Sequence, residues 1–303
     1  MTTQPIVVGV DGSPESASAA SVAWMLARVA DVPCRLVHAT DDVSTSLAMA
    51  GTGVVMETLQ LAALAGARAA LGASLHDSVP SSVVDAMVVS TGGAADVLEA
   101  VVAETDATML VLGGKHHSTL GRWLGGSTVQ QVVRHLTVPL LVTAGELRVR
   151  PRVMVAVDAS YAARPTIQQA VAFARILGSP LHALHVIDPP PAIAELPQDW
   201  SREIVERDIW PLVPLVERAK VVREGIPFET IVDEAAAWRA DVIVVGSHGK
   251  GWVDRLLIGS VTEDLLNNLP CAVLVVPVPK PERTEPIEAH AAAAAPSGQG
   301  ALR

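Results

Sequence analysis

The sequence predicts two α/β domains in tandem, each a mostly parallel sheet flanked by helices. Three observations carry that prediction. Short β-branched runs alternate with Ala- and Leu-rich stretches of helical length, the pattern of strand–helix–strand units with right-handed crossovers. Positions separated by constant offsets repeat one another along the chain. A glycine-rich loop, Gly246-Ser-His-Gly249-Lys-Gly-Trp-Val-Asp-Arg-Leu-Leu-Ile-Gly259-Ser260-Val-Thr262, leaves a strand end and enters a helix.

Taken in order, Ile6 to Asp11 reads as a strand ending in an Asp, and Gly12 to Glu15 as a turn and helix start. A helix is expected over Ser16 to Ala30, a strand over Cys34 to Ala39, and an Ala/Leu-rich helix over Thr52 to Leu71. A third strand is expected over Val83 to Val89, a helix over Gly93 to Thr105, and a fourth strand over Thr108 to Leu112. A loop from Gly113 then leads to a helix over Ser127 to Leu136 and a fifth strand over Pro139 to Thr143. The pattern starts again with Val153 to Asp158 and Leu181 to Ile187. The β-branched run Ala240 to Val245 is bounded by Gly and reads as a buried parallel strand. The helix after the long loop stops before Pro270.

Asp11 and Asp158 are 147 positions apart, as are Pro33 and Pro180, His38 and His185, and Asp41 and Asp188. Gly113 and Gly246 are 133 apart, as are Arg122 and Arg255, Gly126 and Gly259, and Ser127 and Ser260. Two constant offsets mean a duplication with one net deletion of 147 − 133 = 14 residues. The deletion falls between Asp188 and a third strand near Ala219 to Val222, where Pro211 and Pro214 interrupt a shortened helix and predict a more open flank. The expected division is residues 1–145, residues 151–279, and a disordered tail over 280–303.

The chain has 303 residues, enough for two domains of roughly 150 residues with real cores. No apolar run reaches the ~18 residues that a membrane-spanning helix needs. The N-terminal Met1-Thr-Thr-Gln-Pro-Ile lacks a basic leader pattern, so the expected location is cytoplasmic. Lys and Arg number 22 against 32 Asp and Glu, a net charge of −10, with no basic cluster along which a nucleic-acid backbone could lie. Cys34 and Cys271, both at strand starts, read as small apolar residues in a reduced compartment.

A strand end followed by a helix N-terminus is where α/β sheets bind ligands, and the free amides and helix dipole there favour an anion. Without a Cβ, Gly246 and Gly249 are expected to reach positive φ and let amides close around phosphate oxygens. Gly259 is expected to clear the helix start, with the Ser260 and Thr262 hydroxyls as caps or phosphate ligands.

The Gly-x2-Gly-x9-Gly-Ser spacing resembles the nucleotide loop of the universal stress protein family. Both halves carry the strand-ending Asp, the loop and the Gly-Ser step in order, so residues 4 to 279 resemble two fused domains of that family. The resemblance implies five-stranded, Rossmann- or flavodoxin-like sheets. Paired here through Pro139–Thr143 and Cys271–Val276, they would make an intramolecular pseudo-dimer. It also implies ATP, accompanied by Mg2+, as the ligand. In the second half the implied contacts are Ala156, Val157, Asp158, Val186, Gly246, Gly249, Gly259, Ser260, Val261 and Thr262. In the first half they are Gly9, Val10, Asp11, Ala39, Gly113, Gly126, Ser127 and Thr128. The Asp would accept hydrogen bonds from ribose hydroxyls, away from the phosphates. In the first half the second loop glycine is replaced by His116, which predicts a site that binds weakly or not at all, although Gly114, Lys115, His116 and His117 could still donate to phosphate. A homodimer and a regulatory protein partner are further expectations; nucleic acid and membrane are not.

Plainer roles stand beside these. Asp11 and Asp158 could be turn residues capping the next helix. His38 and His185 lie within strands and read as satisfied core histidines, and His116 and His117 have no third ligand at metal spacing. Arg122 and Arg255 could neutralise phosphate or be solvated, while Trp123 and Trp252 read as packing residues. Neither Gly-Lys pair is followed by Ser or Thr, so there is no Walker A motif, and no Gly-x-Ser-x-Gly elbow occurs. The expectation is a nucleotide-binding regulator and not an enzyme. The alternatives are an interaction scaffold with vestigial sites, a slow ATPase, or an ATP-consuming enzyme of a related α-hydrolase-like fold.

Overall fold

The computed structural model of the protein describes residues 4–40, 53–114, 128–135, 137–188, 203, 205–213, 220–248 and 258–278, with backbone alone at 53–60 and 208. Among the described residues ten strands form one sheet. Those of the first half are β1 (Ile6–Gly9), β2 (Cys34–Thr40), β3 (Val88–Thr91), β4 (Met109–Gly113) and β5 (Leu140–Thr143). Those of the second are β6 (Val153–Val157), β7 (Leu181–Ile187), β8 (Lys220–Glu224), β9 (Val242–Gly246) and β10 (Ala272–Val276). Their order is β3-β2-β1-β4-β5-β10-β9-β6-β7-β8. Every pairing within a half is parallel, and the halves join by the antiparallel pairing of β5 with β10. The mostly parallel α/β class and the pairing through the last strands are as the sequence implied.

The register at that seam is Leu140↔Val275, Leu141↔Leu274 and Val142↔Val273, all six fully buried. Because side chains alternate across a sheet, Leu141 and Leu274 point to one face while Leu140, Val142, Val273 and Val275 point to the other. Each face is therefore one apolar layer that runs through both halves. The first face is covered by α1 (Pro14–Ala30), α2 (Gly53–Leu75), α3 (Ser81–Asp85) and α6 (Ala163–Ile176). The second is covered by α4 (Ala94–Glu104), α5 (Thr128–Val132), α7 (Pro227–Trp238) and α8 (Ser260–Asn268). On the second face Gln130 of α5 donates to Asn267 Oδ1 of α8 at 2.9 Å, a polar tie between the halves.

One expectation is corrected. The run over Val83 to Val89 is not one strand: Pro80, extended at φ −60° and ψ 150°, starts the short helix α3, and pairing begins only at Val88. Val83 and Met87 are buried in the first-face core, so tertiary packing overrides the β-branched composition. Around the deletion, the described chain forms a π-helical turn over Val205–Ile209 and a 3-10 turn over Trp210–Leu212 that send Val205, Ile209, Trp210 and Val213 into the same core. The expected open flank involves residues 189–202 and 214–219, and the expected tail residues 280–303, all outside the described residues apart from those two turns. Both cysteines are free and half-buried, and burial pushes each thiol up to about 12, so neither forms thiolate near neutral pH.

A polar cluster lies under α7. His182 of β7 is buried, its Nε2 is 2.9 Å from Glu234 Oε1, and its ring stacks on Trp238 at 4.8 Å. Arg223 donates to Glu234 Oε2 at 2.9 Å, and the Arg152 guanidinium lies 4.6 Å from the Trp238 centroid. Burial holds the imidazole below its usual pKa, against the pull of Glu234 and with a further push from Arg223 and Arg152. The unfolded chain takes up that proton near pH ~6.5. Below this pH the unfolded state binds more protons, so stability is full above it and falls as the pH drops toward 5. Urea midpoints at pH 7.5 and pH 5.5 should differ less in His182→Gln than in the wild-type protein.

Two glycines give opposite expectations. A Cβ at Gly113 would lie 2.6 Å from the backbone carbonyl of Glu15, whereas one at Gly66 of α2 would meet nothing within 4 Å. Gly113→Ala should lower stability by about 1–3 kcal/mol, and Gly66→Ala should raise it by about 1 kcal/mol, both read from denaturant unfolding.

Candidate nucleotide site

In each half the strand order reverses around the first strand. β1 lies between β2 and β4, and β6 between β7 and β9. Crossovers leave on opposite sides of such a point, opening a crevice beyond the carboxyl ends of the strands. In the second half this crevice is a cavity of about 300 Å³, the lower end of the small-molecule range. Ala156, Val157, Asp158, Val186, Gly246, Gly259, Ser260, Val261 and Thr262, all named from the sequence, line this one space. Gly249 lies outside the described residues.

The loop ends are fixed by hydrogen bonds that begin at Ser247. Its N–H donates to Val276 O at 2.8 Å, and its carbonyl accepts from Gly259 N–H at 3.0 Å, which closes the loop between them. Its buried hydroxyl accepts from Val278 N–H at 3.1 Å and lies 2.9 Å from His248 Nδ1. Helix α8 therefore starts beside the end of β9. Gly259 is its N-cap, at φ −60° and ψ 137°, and no side chain caps the helix. The first intrahelical bond is Glu263 N–H to Gly259 O at 2.9 Å. The amides of Ser260, Val261 and Thr262 thus stand at the positive end of the helix with no helical acceptor, beside the cavity.

Three roles read from the sequence change here. Gly246 is not at positive φ. Its requirement is space, because a Cβ would sit 2.9 Å from Thr166 Oγ1 and 3.2 Å from His248 O. Neither hydroxyl caps the helix, since the cap residue is Gly259 itself. The Thr262 hydroxyl donates its one proton to Gly246 O at 2.8 Å, so it latches strand to helix and has no proton left for a phosphate.

Asp158 follows β6 directly. Its Oδ1 accepts from Ser160 N–H at 3.2 Å and from Ser160 Oγ at 2.5 Å. Asp11 does the same with Ser13, at 2.9 and 2.5 Å. The turn-forming role is therefore present in both halves. It fixes the carboxylate's direction and is compatible with ligand binding, because a carboxylate accepts at about four positions.

Leu184, Ile187, Pro227, Ile231 and Val245 form the apolar wall, with Ala162, Ala163 and Thr166 of the α6 start opposite. Asp188 and His248 complete the lining. Sequence reasoning named none of these as ligand contacts. Asp188 carried a signal as the repeat of Asp41, and Ile231 carried one as the residue a helical turn past the N-terminal Pro227 of α7.

In the first half Gly9 ends β1, Ala39 lies in β2, Gly113 ends β4, Thr128 opens α5, and Val10 and Asp11 follow β1. Gly126 and Ser127 lie outside the described residues, as do His116, His117, Arg122 and Trp123, and in the second half Trp252 and Arg255. Helix α1 begins three residues after Asp11, whereas α6 begins five after Asp158. The α1 backbone consequently sits on Gly113, and Leu71 of α2 reaches to 3.4 Å of the Cβ position of Gly12. Among the described residues no three His, Cys, Asp or Glu side chains gather as a metal site, and no helix is long and apolar enough to cross a membrane.

The model of the universal stress protein family matches residues 2–144 and 150–277. A universal stress protein of Mycobacterium tuberculosis is 31% identical over 303 residues, covering 89% of this chain and 96% of its own. One from Mycolicibacterium smegmatis is 28% identical over 296 residues, covering 91% and 97%. Among solved structures, a putative universal stress protein from Pseudomonas aeruginosa superposes with TM-score 0.61 at 18% identity, covering 91% of this chain and 93% of that one. A universal stress protein from Archaeoglobus fulgidus gives 0.59 at 17%, covering 91% and 99%. Two family matches in tandem, spanning both halves of one sheet, make this chain a member of the universal stress protein family.

Proposed function

We propose that the second half binds an adenine nucleotide, ATP with Mg2+ carried on its phosphates, and that the protein acts as a nucleotide-dependent regulator in a stress response. The observation that carries this reading is one cavity lined by the N-terminus of α8, which has no side-chain cap, by an apolar wall and by Asp158. Amides at a helix N-terminus suit phosphate. The wall formed by Leu184, Val186, Pro227 and Ile231 suits a flat base, and the Asp158 carboxylate suits two ribose hydroxyls.

The reading is binding and not turnover. The donors of the loop and helix start hold phosphate, but efficient hydrolysis also needs a group that orients an attacking water, and no residue of the lining is assigned that role. For the first half the scaffold reading is favoured, because His116 stands where the second half has the loop glycine Gly249.

The test is nucleotide released on denaturation together with titration of ATP and adenosine. Ser260→Pro removes one amide at the first helical position, where proline is well tolerated and Gly259 already has a compatible conformation. It should leave the melting temperature nearly unchanged and weaken ATP by roughly tenfold while sparing adenosine. Asp158→Asn keeps an oxygen for the Ser160 turn and should weaken ATP and adenosine alike, by about tenfold. A wild-type protein that releases no nucleotide and binds no ATP at millimolar concentration would sink the reading.

A further inference from the structure

We infer that His185 is the positioning residue of the corner that presents Asp158 to the ligand, an inference that rests on the nucleotide reading above. His185 is fully buried in β7, in register with Val157 of β6. Its Nδ1 lies 2.8 Å from the Val157 carbonyl oxygen. A carbonyl only accepts, so Nδ1 carries the proton and donates. That carbonyl belongs to the peptide whose N–H is on Asp158. The peptide is planar, so holding the oxygen fixes the plane from which the Asp158 Cα departs. The side chain of His185 therefore sets the direction in which the Asp158 carboxylate enters the cavity, without touching a ligand itself.

The first half repeats the device. His38 Nδ1 lies 2.7 Å from Val10 O, directly before Asp11. Each histidine lies on the second strand of its half, paired with the first strand, but the chain beyond the two Asp residues differs. Asp11 is followed by Gly-Ser-Pro and a helix at once, and Asp158 by Ala-Ser-Tyr and a later helix start. The flank of the first half carries the 23-residue α2, and that of the second carries a π turn and a 3-10 turn. The bond thus recurs at both Asp corners although the segments that follow them and the flanks differ. An aliphatic side chain would fill a buried strand position at less desolvation cost than an imidazole, so the ring's contribution lies in its donor.

The test compares His185→Leu, which keeps much of the volume and removes the donor, with His185→Asn, which returns a side-chain N–H near the Nδ1 position but leaves a smaller core residue. ATP and adenosine affinities are titrated beside denaturant midpoints, and the Asp158 amide resonance is followed in 15N-labelled protein. Leu should weaken both ligands by about tenfold and move the Asp158 amide, and Asn should recover most of the affinity and the resonance although its midpoint is below wild type. If affinity instead follows stability, with Asn binding no better than Leu, or if the Asp158 amide does not move in Leu, His185 is only a core residue. Should wild type bind no ATP, the nucleotide reading falls, and the Asp158 resonance in the two variants alone decides whether His185 sets the corner.

Discussion

The antiparallel ladder between β5 and β10 is the constraint on which the rest depends. Neither strand could sit at an edge of a lone half without cost. All six paired residues are apolar and fully buried, and an exposed row of such residues with unpaired backbone groups is a template for aggregation. Joining the strands satisfies both edges at once and lines up the side-chain alternation so that each apolar layer continues across the seam. The edges left at β3 and β8 are of a different kind, with β3 half-buried along its length and Lys220, Arg223 and Glu224 exposed along β8.

Held in that sheet, the strand ends become a frame for short, specific bonds. The second-half cavity is framed by positions that backbone and side-chain hydrogen bonds fix. Ser247 closes the loop, Thr262 latches helix to strand, and Ser160 steers Asp158. What lines the cavity is chiefly amides, the Asp158 and Asp188 carboxylates, the His248 imidazole and an apolar wall. Such a surface suits holding a ligand more than altering it.

Much of this was legible in the sequence, for physical reasons. A buried parallel strand needs an unbroken apolar run, so Val153 to Val157 and Val242 to Val245 announce themselves, and the repeat points to their counterparts in the other half. The cluster from Asp158 to Thr262 was also readable, because strand ends and helix starts are punctuated by Asp, Gly and Ser. What the sequence hid depends on the third dimension. Val83 has the composition of a strand, yet Pro80 and the core beneath turn it into a helix. Gly246 looks like a flexible loop glycine, and only the position of Thr166 shows that it is a matter of space. The Thr262 hydroxyl has a local partner that no spacing rule reveals.

The single antiparallel seam has a geometric corollary. Strands of the first half all run one way and those of the second all run the other, so the carboxyl ends of the two sets lie on opposite margins of the sheet. The two crevices therefore open in opposite directions, back to back, related by an approximate twofold axis through the β5–β10 ladder. A molecule docked at one mouth has no view of the other. Each margin can therefore diverge at its own strand ends without altering the buried ladder between them.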